Sequence, residues 1–234
     1  MRTLPLPLAL ALVAALAGGA PALGAQEFLD RGTFIIVRGG SEVGREDFAI
    51  RPTVGRQGQS GVLAVSTVRE NGRDLQHALE LTADHTPVTF QQTESAGGRV
   101  VRRLSAQLAG LRFSVRLTSS DGEAAREFPV RAPAVILGDD AFNEYYFVPR
   151  PMDGAPRSVF VVRPGDARAV PGRVETMGTD TVTVGGLVIE ARRFALRLQD
   201  GEERLFWVTP SGDLVRVALP ATNTIATRAE LPRP

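Results

Sequence analysis

From Gly32 to the end of the chain, apolar and polar residues alternate with a period of two. The clearest run is Leu111-Arg112-Phe113-Ser114-Val115-Arg116-Leu117-Thr118, apolar at every odd position and polar at every even one. Successive side chains of a strand point to opposite faces, so such a run makes a strand with one apolar and one solvated face. The same pattern recurs in Thr33–Arg38, Glu46–Arg51, Val62–Arg69, Asp74–Ala83, Val88–Thr93, Val100–Gln107 and Glu127–Arg131. It continues through Ser158–Arg163, Thr181–Val184, Leu187–Leu198, Leu205–Thr209, Leu214–Leu219 and Thr224–Arg228. Between the runs stand turn pairs: Asn71-Gly72, Gly97-Gly98, Asp121-Gly122, Gly185-Gly186, Asp200-Gly201 and Ser211-Gly212. Short turns join antiparallel neighbours, whereas parallel strands need long crossovers. The expected fold is therefore an all-β antiparallel meander. With roughly a dozen strands it cannot stay flat, and it curves into a half-barrel or open barrel.

The first 25 residues break this pattern. Met1-Arg2, an apolar stretch from Leu4 to Ala17 and the small residues around Ala22-Leu23-Gly24 have the layout of a secretory signal peptide. Prolines and glycines interrupt the stretch before it reaches the roughly 20 apolar residues of a membrane span. The expected organisation is a signal peptide over 1–25, then one β-domain over 26–234, soluble and periplasmic or secreted. Pro149–Arg157, rich in Pro, Gly and Arg, reads as a loop within that domain.

Several function classes recede on composition. The chain has no cysteine, which removes disulfides, lipid attachment through an N-terminal cysteine and thiol chemistry. All 27 basic residues are arginine, against 26 acids, and no basic stripe is interleaved with aromatics, so nucleic acid is not an expected partner. Arginines such as Arg102, Arg103, Arg112, Arg116, Arg192 and Arg193 fall on the polar phase of strands, where cross-strand pairs with acids are expected. No nucleophile elbow, phosphate loop or metalloprotease motif occurs. His77 lies in phase with Leu75, Leu79 and Leu81, as an apolar-face histidine, and His85 stands in the following turn; no metal or other cofactor is expected.

One segment departs from the alternation: "GDDAFNEYYFVPRPM", residues 138–152. Asp139 or Asp140 can cap a short helix over 139–148 that stops at Pro149, with Phe142, Tyr145 and Tyr146 on one face. Its aromatics fit a plug of the curved sheet, or the lid of an apolar cavity with tyrosine hydroxyls at the mouth. A metal or catalytic pair at Asp139-Asp140 is the third option.

Three stretches taken together carry a resemblance. "FIIVRGGSEVGREDFAI", "ILGDDAFNEYYFV" and "LFWVTPSGDLVRVALP" make the chain resemble secreted bacterial β-proteins of unknown function that are similar to the periplasmic lipoprotein carriers. The resemblance implies an open, strongly curved sheet with short helices over a concave face that holds acyl chains; it assigns no residue role. The expected function is non-enzymatic binding of a lipid or acyl chain by Phe113, Val115, Leu117, Phe142, Tyr145 and Tyr146. The alternative is an envelope module with a filled core that docks a protein partner through a sheet edge.

Overall fold

The computed structural model describes residues 27–55, 58–150 and 153–232; the signal-peptide-like segment lies outside them. Every strand belongs to one 15-stranded sheet that does not close by hydrogen bonds. The first half is a meander of β1 (Asp30–Arg38), β2 (Ser41–Val54), β3 (Ser60–Glu70), β4 (Arg73–Thr82), β5 (Pro87–Ala96), β6 (Arg99–Ala109), β7 (Arg112–Ser119) and β8 (Gly122–Pro129). The second half comprises β9 (Ala134–Ile136), β10 (Arg157–Arg163), β11 (Arg168–Val184), β12 (Leu187–Leu198), β13 (Glu203–Val208), β14 (Leu214–Leu219) and β15 (Thr224–Arg228).

The spatial order is β8-β7-β6-β5-β4-β3-β2-β1-β15-β14-β13-β12-β11-β10-β9. All neighbours are antiparallel except β9 and β10. The chain therefore starts in the middle of the sheet, runs out to the β8 edge and reappears at the opposite edge. From there it returns to the middle, where β15 pairs with β1. Residues 130–156 must cross from one edge to the other. Residues 137–148 lie over the concave face, where a short 3₁₀ helix, Asn143–Phe147, packs against both β3 and β14.

The turns explain the ladder. Asn71-Gly72, Gly97-Gly98 and Gly185-Gly186 all take positive φ at both residues, as two-residue hairpins require. Gly44 is needed for a different reason: a Cβ there would lie 2.1 Å from the Arg69 carbonyl oxygen on β3. β9 has no alternating run in the sequence, and β8 and β11 begin well before the runs Glu127–Arg131 and Thr181–Val184 that mark them.

The apolar phase of the strands makes the buried face of the sheet. Phe34 stacks on Phe48 across β1 and β2 at 5.2 Å between ring centres, and Phe194 on Phe206 across β12 and β13 at 5.1 Å. A continuous apolar core runs across this face of the sheet. A bulge at Met177-Gly178 in β11 then swaps faces. Before it, Val174 points into the main core; after it, Val182 and Val184 pack on the outer face against Trp207 and Val215. One inserted residue exchanges the two faces of a strand.

Candidate functional site

The concave face is where the two halves and the crossing segment meet. On the strands, Phe113 and Val115 of β7 are buried and Leu117 is half-buried, all in or against the main core. Phe142 and Tyr145 are buried in the same core, and Tyr146 packs against it half-exposed. The six residues expected to line a ligand cavity thus lie on one side of the sheet, packed into one filled core.

The helix differs from the expected one in two respects. It spans only Asn143–Phe147, and neither Asp139 nor Asp140 caps it. Its cap comes from a distant strand: Glu46 of β2 accepts the Phe142 N–H at 2.8 Å and the Asn143 N–H at 3.2 Å. With three residues per turn instead of 3.6, Phe142 and Tyr145 eclipse and Tyr146 swings away. The Tyr145 hydroxyl is not at a wet mouth; it accepts a hydrogen bond from Arg204 Nη1 at 3.0 Å. Tyr146 lies under the Arg150 guanidinium, 5.4 Å from the ring centre.

Arg204 of β13, wholly buried, ties the segment to the sheet. Its Nη2 reaches Asp139 at 2.5 Å, its Nη1 the Gly138 carbonyl at 3.2 Å and its Nε Glu202 at 2.6 Å. Burial opposes its charge, but Tyr145, Asp139 and Glu202 outweigh that and hold the guanidinium more firmly protonated than usual. Asp139 is thereby an ion-pair partner. Among the described residues no group of three or more His, Asp or Glu side chains could hold a metal.

Two further carboxyls sit in this layer. Burial raises Glu46 from 4.5 to about 7, although the Phe142 N–H pulls it back. Burial likewise raises Glu144 to about 8, with the Gly138 N–H, donated at 2.6 Å, working the other way. Beside them, burial lowers His77 from 6.5 to about 4, so the imidazole is neutral at physiological pH. Its Nδ1 lies 3.8 Å from Glu144 Oε1, beyond hydrogen-bond reach. Neither ring nitrogen has a partner, and neither has Glu144 Oε1.

Ser66 stands directly opposite His77 in the β3–β4 register, which brings serine, histidine and glutamate side chains together. The electrostatics run against a hydrolytic triad. The acid beside a catalytic histidine must be ionised to stabilise an imidazolium, whereas Glu144 is pushed toward its neutral form. The Ser66 hydroxyl is buried, and the cleft described next reaches His77 without touching Ser66.

That cleft, about 220 Å³, opens between the concave side of β4–β6, residues 137–140 and the turn after β10. His77 and Phe90 line it, with Gln92, Arg102 and Asp140 around them. A wider groove of about 570 Å³ runs over β5–β8. Because Phe90, Ala106 and Val115 are buried from the core side, this groove lies on the opposite, solvated face, above Ser105, Gln107 and Ser114.

The sequence marks these residues in one consistent way. Glu46 is in phase with Phe48 and Ile50, His77 with Leu75 and Leu79, Arg204 with Phe206, and Arg228 with Ala226. Each is an ionisable residue on the apolar phase of its strand, and of the four only His77 stands out in the sequence. Arg228 forms a buried two-point pair with Asp30, at 2.6 and 3.0 Å. No protein-family model, curated protein or solved structure matches this chain.

Proposed function

We propose that this chain is a non-enzymatic module of the cell envelope that docks an extended segment of another polypeptide onto the β8 edge. The signal-peptide-like leader supports the compartment. The observation that carries the reading is the contrast between the two edges. The β9 edge is three residues long and buried, and β9 packs against β5. The β8 edge is eight residues long, pairs with β7 without a bulge and, although it touches β11, is exposed along nearly its whole length.

Edges of natural sheets are usually guarded by bulges, mid-strand prolines or unpaired charges. On β8 the only proline is the terminal Pro129, both acids are neutralised within the sheet, Glu123 by Arg116 and Glu127 by Arg112, and Arg126 is the one charge without an ion pair. An added strand would meet open backbone groups without uncompensated acid on that face, the arrangement of strand addition. The concave face, meanwhile, is filled by the chain's own residues 137–148, whose N-terminal part is hydrogen-bonded at Glu46 and Arg204.

The test uses the alternation of backbone donors along the edge strand. A photo-crosslinking residue at Ala125, in a secreting host, is expected to give one adduct whose linked peptide, made synthetically, slows amide exchange on β8. Adjacent residues point their N–H groups in opposite directions. One of Ala124→Pro and Ala125→Pro therefore removes an edge-facing donor, and that variant is expected to stay folded and lose the peptide. An adduct with a second copy of the chain, or peptide binding without protection of β8, overturns the reading. A co-purifying lipid with no adduct returns the apolar-ligand alternative.

A further inference from the structure

Along the β8 edge the two faces differ in charge. Ala124, Arg126 and Phe128 stand opposite Leu117, Val115 and Phe113 of β7, on the apolar phase, whereas Glu123, Ala125 and Glu127 take the outer phase. The two acids are held by Arg116 and Arg112. Arg126 stays exposed although β11 touches β8, and among the described residues it has no ion-pair or hydrogen-bond partner.

Elsewhere in the molecule, arginines on the apolar phase are met by carboxylates. Arg73 pairs with Glu94, Arg163 with Glu202, Arg204 with Asp139 and Arg228 with Asp30. Arg102 and Arg192 also lack a carboxylate, but they lie on inner strands, β6 and β12, which are paired on both sides. Arg126 is different. It stands on an edge strand, and the position directly across from it belongs to the strand that is added there.

A residue facing Arg126 on that strand has its Cβ about 5 Å away, within reach of a guanidinium. The flat guanidinium matches a carboxylate at two points. A lysine or arginine in the same place meets like charge, with no acid of β8 on that face to offset it. An inward charge on an edge guards against indiscriminate pairing. The same charge becomes selective once one kind of strand neutralises it, because the others are repelled. Two places to either side on this phase, the added strand faces Ala124 and Phe128, and Phe128 packs on Phe113 at 5.6 Å between ring centres. Those positions call for apolar side chains. On the outer phase it faces Ala125 and two acids that are already paired, so no free charge awaits it there.

Building on the edge-docking reading, we propose that the segment added to β8 carries an aspartate or glutamate facing Arg126, with apolar residues two places to either side and uncharged residues on the outer phase.

Three seven-residue peptides serve as probes. Each has valine at the second and sixth places, threonine elsewhere, and glutamate, glutamine or lysine at the fourth. They are mixed in equal amounts with protein carrying the photo-crosslinking residue at Ala125, and the adducts are quantified by mass spectrometry. Ala125 points to the face opposite Arg126, so the crosslinker leaves the charge untouched. The glutamate adduct is expected to exceed the glutamine adduct about threefold, the size of an exposed ion pair, with the lysine adduct below both. Arg126→Ala, which breaks no contact, is expected to equalise the three, and Arg126→Glu to put the lysine peptide first. Equal adducts on the protein with Arg126, or a glutamate preference that survives Arg126→Ala, overturn the inference and leave the edge reading standing. No adduct from any of the peptides overturns both, since the edge then accepts no strand.

Discussion

At the residue scale, the unusual feature is ionisable groups on the inside of the sheet. Glu46 and Glu144 are held above their ordinary 4.5, at about 7 and about 8, so the folded chain binds more protons there than the unfolded one. Their favourable contribution is complete below about pH 4.5 and is lost as pH rises through 7 and 8. His77, lowered to about 4, acts in the other direction: its contribution is complete above pH 6.5 and is lost as pH falls toward 4. With two raised carboxyls against one lowered histidine, their combined contribution is greatest near pH 4.5 and falls as pH rises from there. Thermal melts across pH are expected to show the melting temperature falling from pH 6 to 9. Glu46→Gln, which keeps an oxygen for the two N–H groups, is expected to flatten that fall; an unchanged slope would contradict the assignment. Glu46→Ala leaves two buried donors open and is expected to cost about 1–3 kcal/mol in denaturant unfolding at pH 6. Arg204→Ala strips Asp139, Glu202 and Tyr145 of a shared buried partner, with an expected loss of about 3–5 kcal/mol.

At the element scale, two devices shape the sheet beyond plain alternation. The first is the tertiary cap on the 3₁₀ helix: a carboxylate ninety-six residues upstream does what Asp139 or Asp140 would have done locally. Local sequence favoured an aspartate cap because such caps are common. Arg204 drew Asp139 away, an outcome that depends on β13 arriving beside the segment. The second device is the β11 bulge. Removing Met177 takes out the extra residue and leaves Val182 opposite Ile189 and Val184 opposite Leu187, so both stay on the face of Trp207. As Trp207 is the single tryptophan, its emission is expected to stay in place in the deletion variant, with the far-ultraviolet dichroism that of a β-protein. A shift to the red would mean that β11 slips in register and uncovers Trp207.

At the scale of the whole molecule, the sheet is assembled outward from its own termini. β1 and β15, almost the full chain apart, pair at the centre and are locked by the buried Arg228–Asp30 pair. Such remote pairing must close a very long loop and makes for slow folding. Native-state hydrogen exchange is expected to be slowest in β1, β2 and β15 and fastest in β8, which is bonded on one side only. Exchange that is fastest at the β1–β15 seam would show the two halves to be independent units. The crossing segment follows from the same topology. Once strands eight and nine lie on opposite edges, the chain between them has to traverse the sheet, and the concave face offers the apolar surface its aromatics require.

The sequence by itself determined the class of fold, the antiparallel bias, the division of most strands into an apolar and a polar face, and most hairpin turns. These follow from period-two alternation and from glycine and asparagine at positions needing positive φ, both of which are local. It also singled out residues 138–152 and grouped Phe142, Tyr145 and Tyr146 with Phe113, Val115 and Leu117. Only the tertiary structure decided that this segment fills the concavity, that Glu46 caps it and that His77 is left without a partner at the floor of a cleft. The physical reason is that a charge on the apolar phase of a strand can be a register error, a solvated strand end or a buried anchor. Which of these it is depends on the group that arrives opposite, and here that group comes from another part of the sheet.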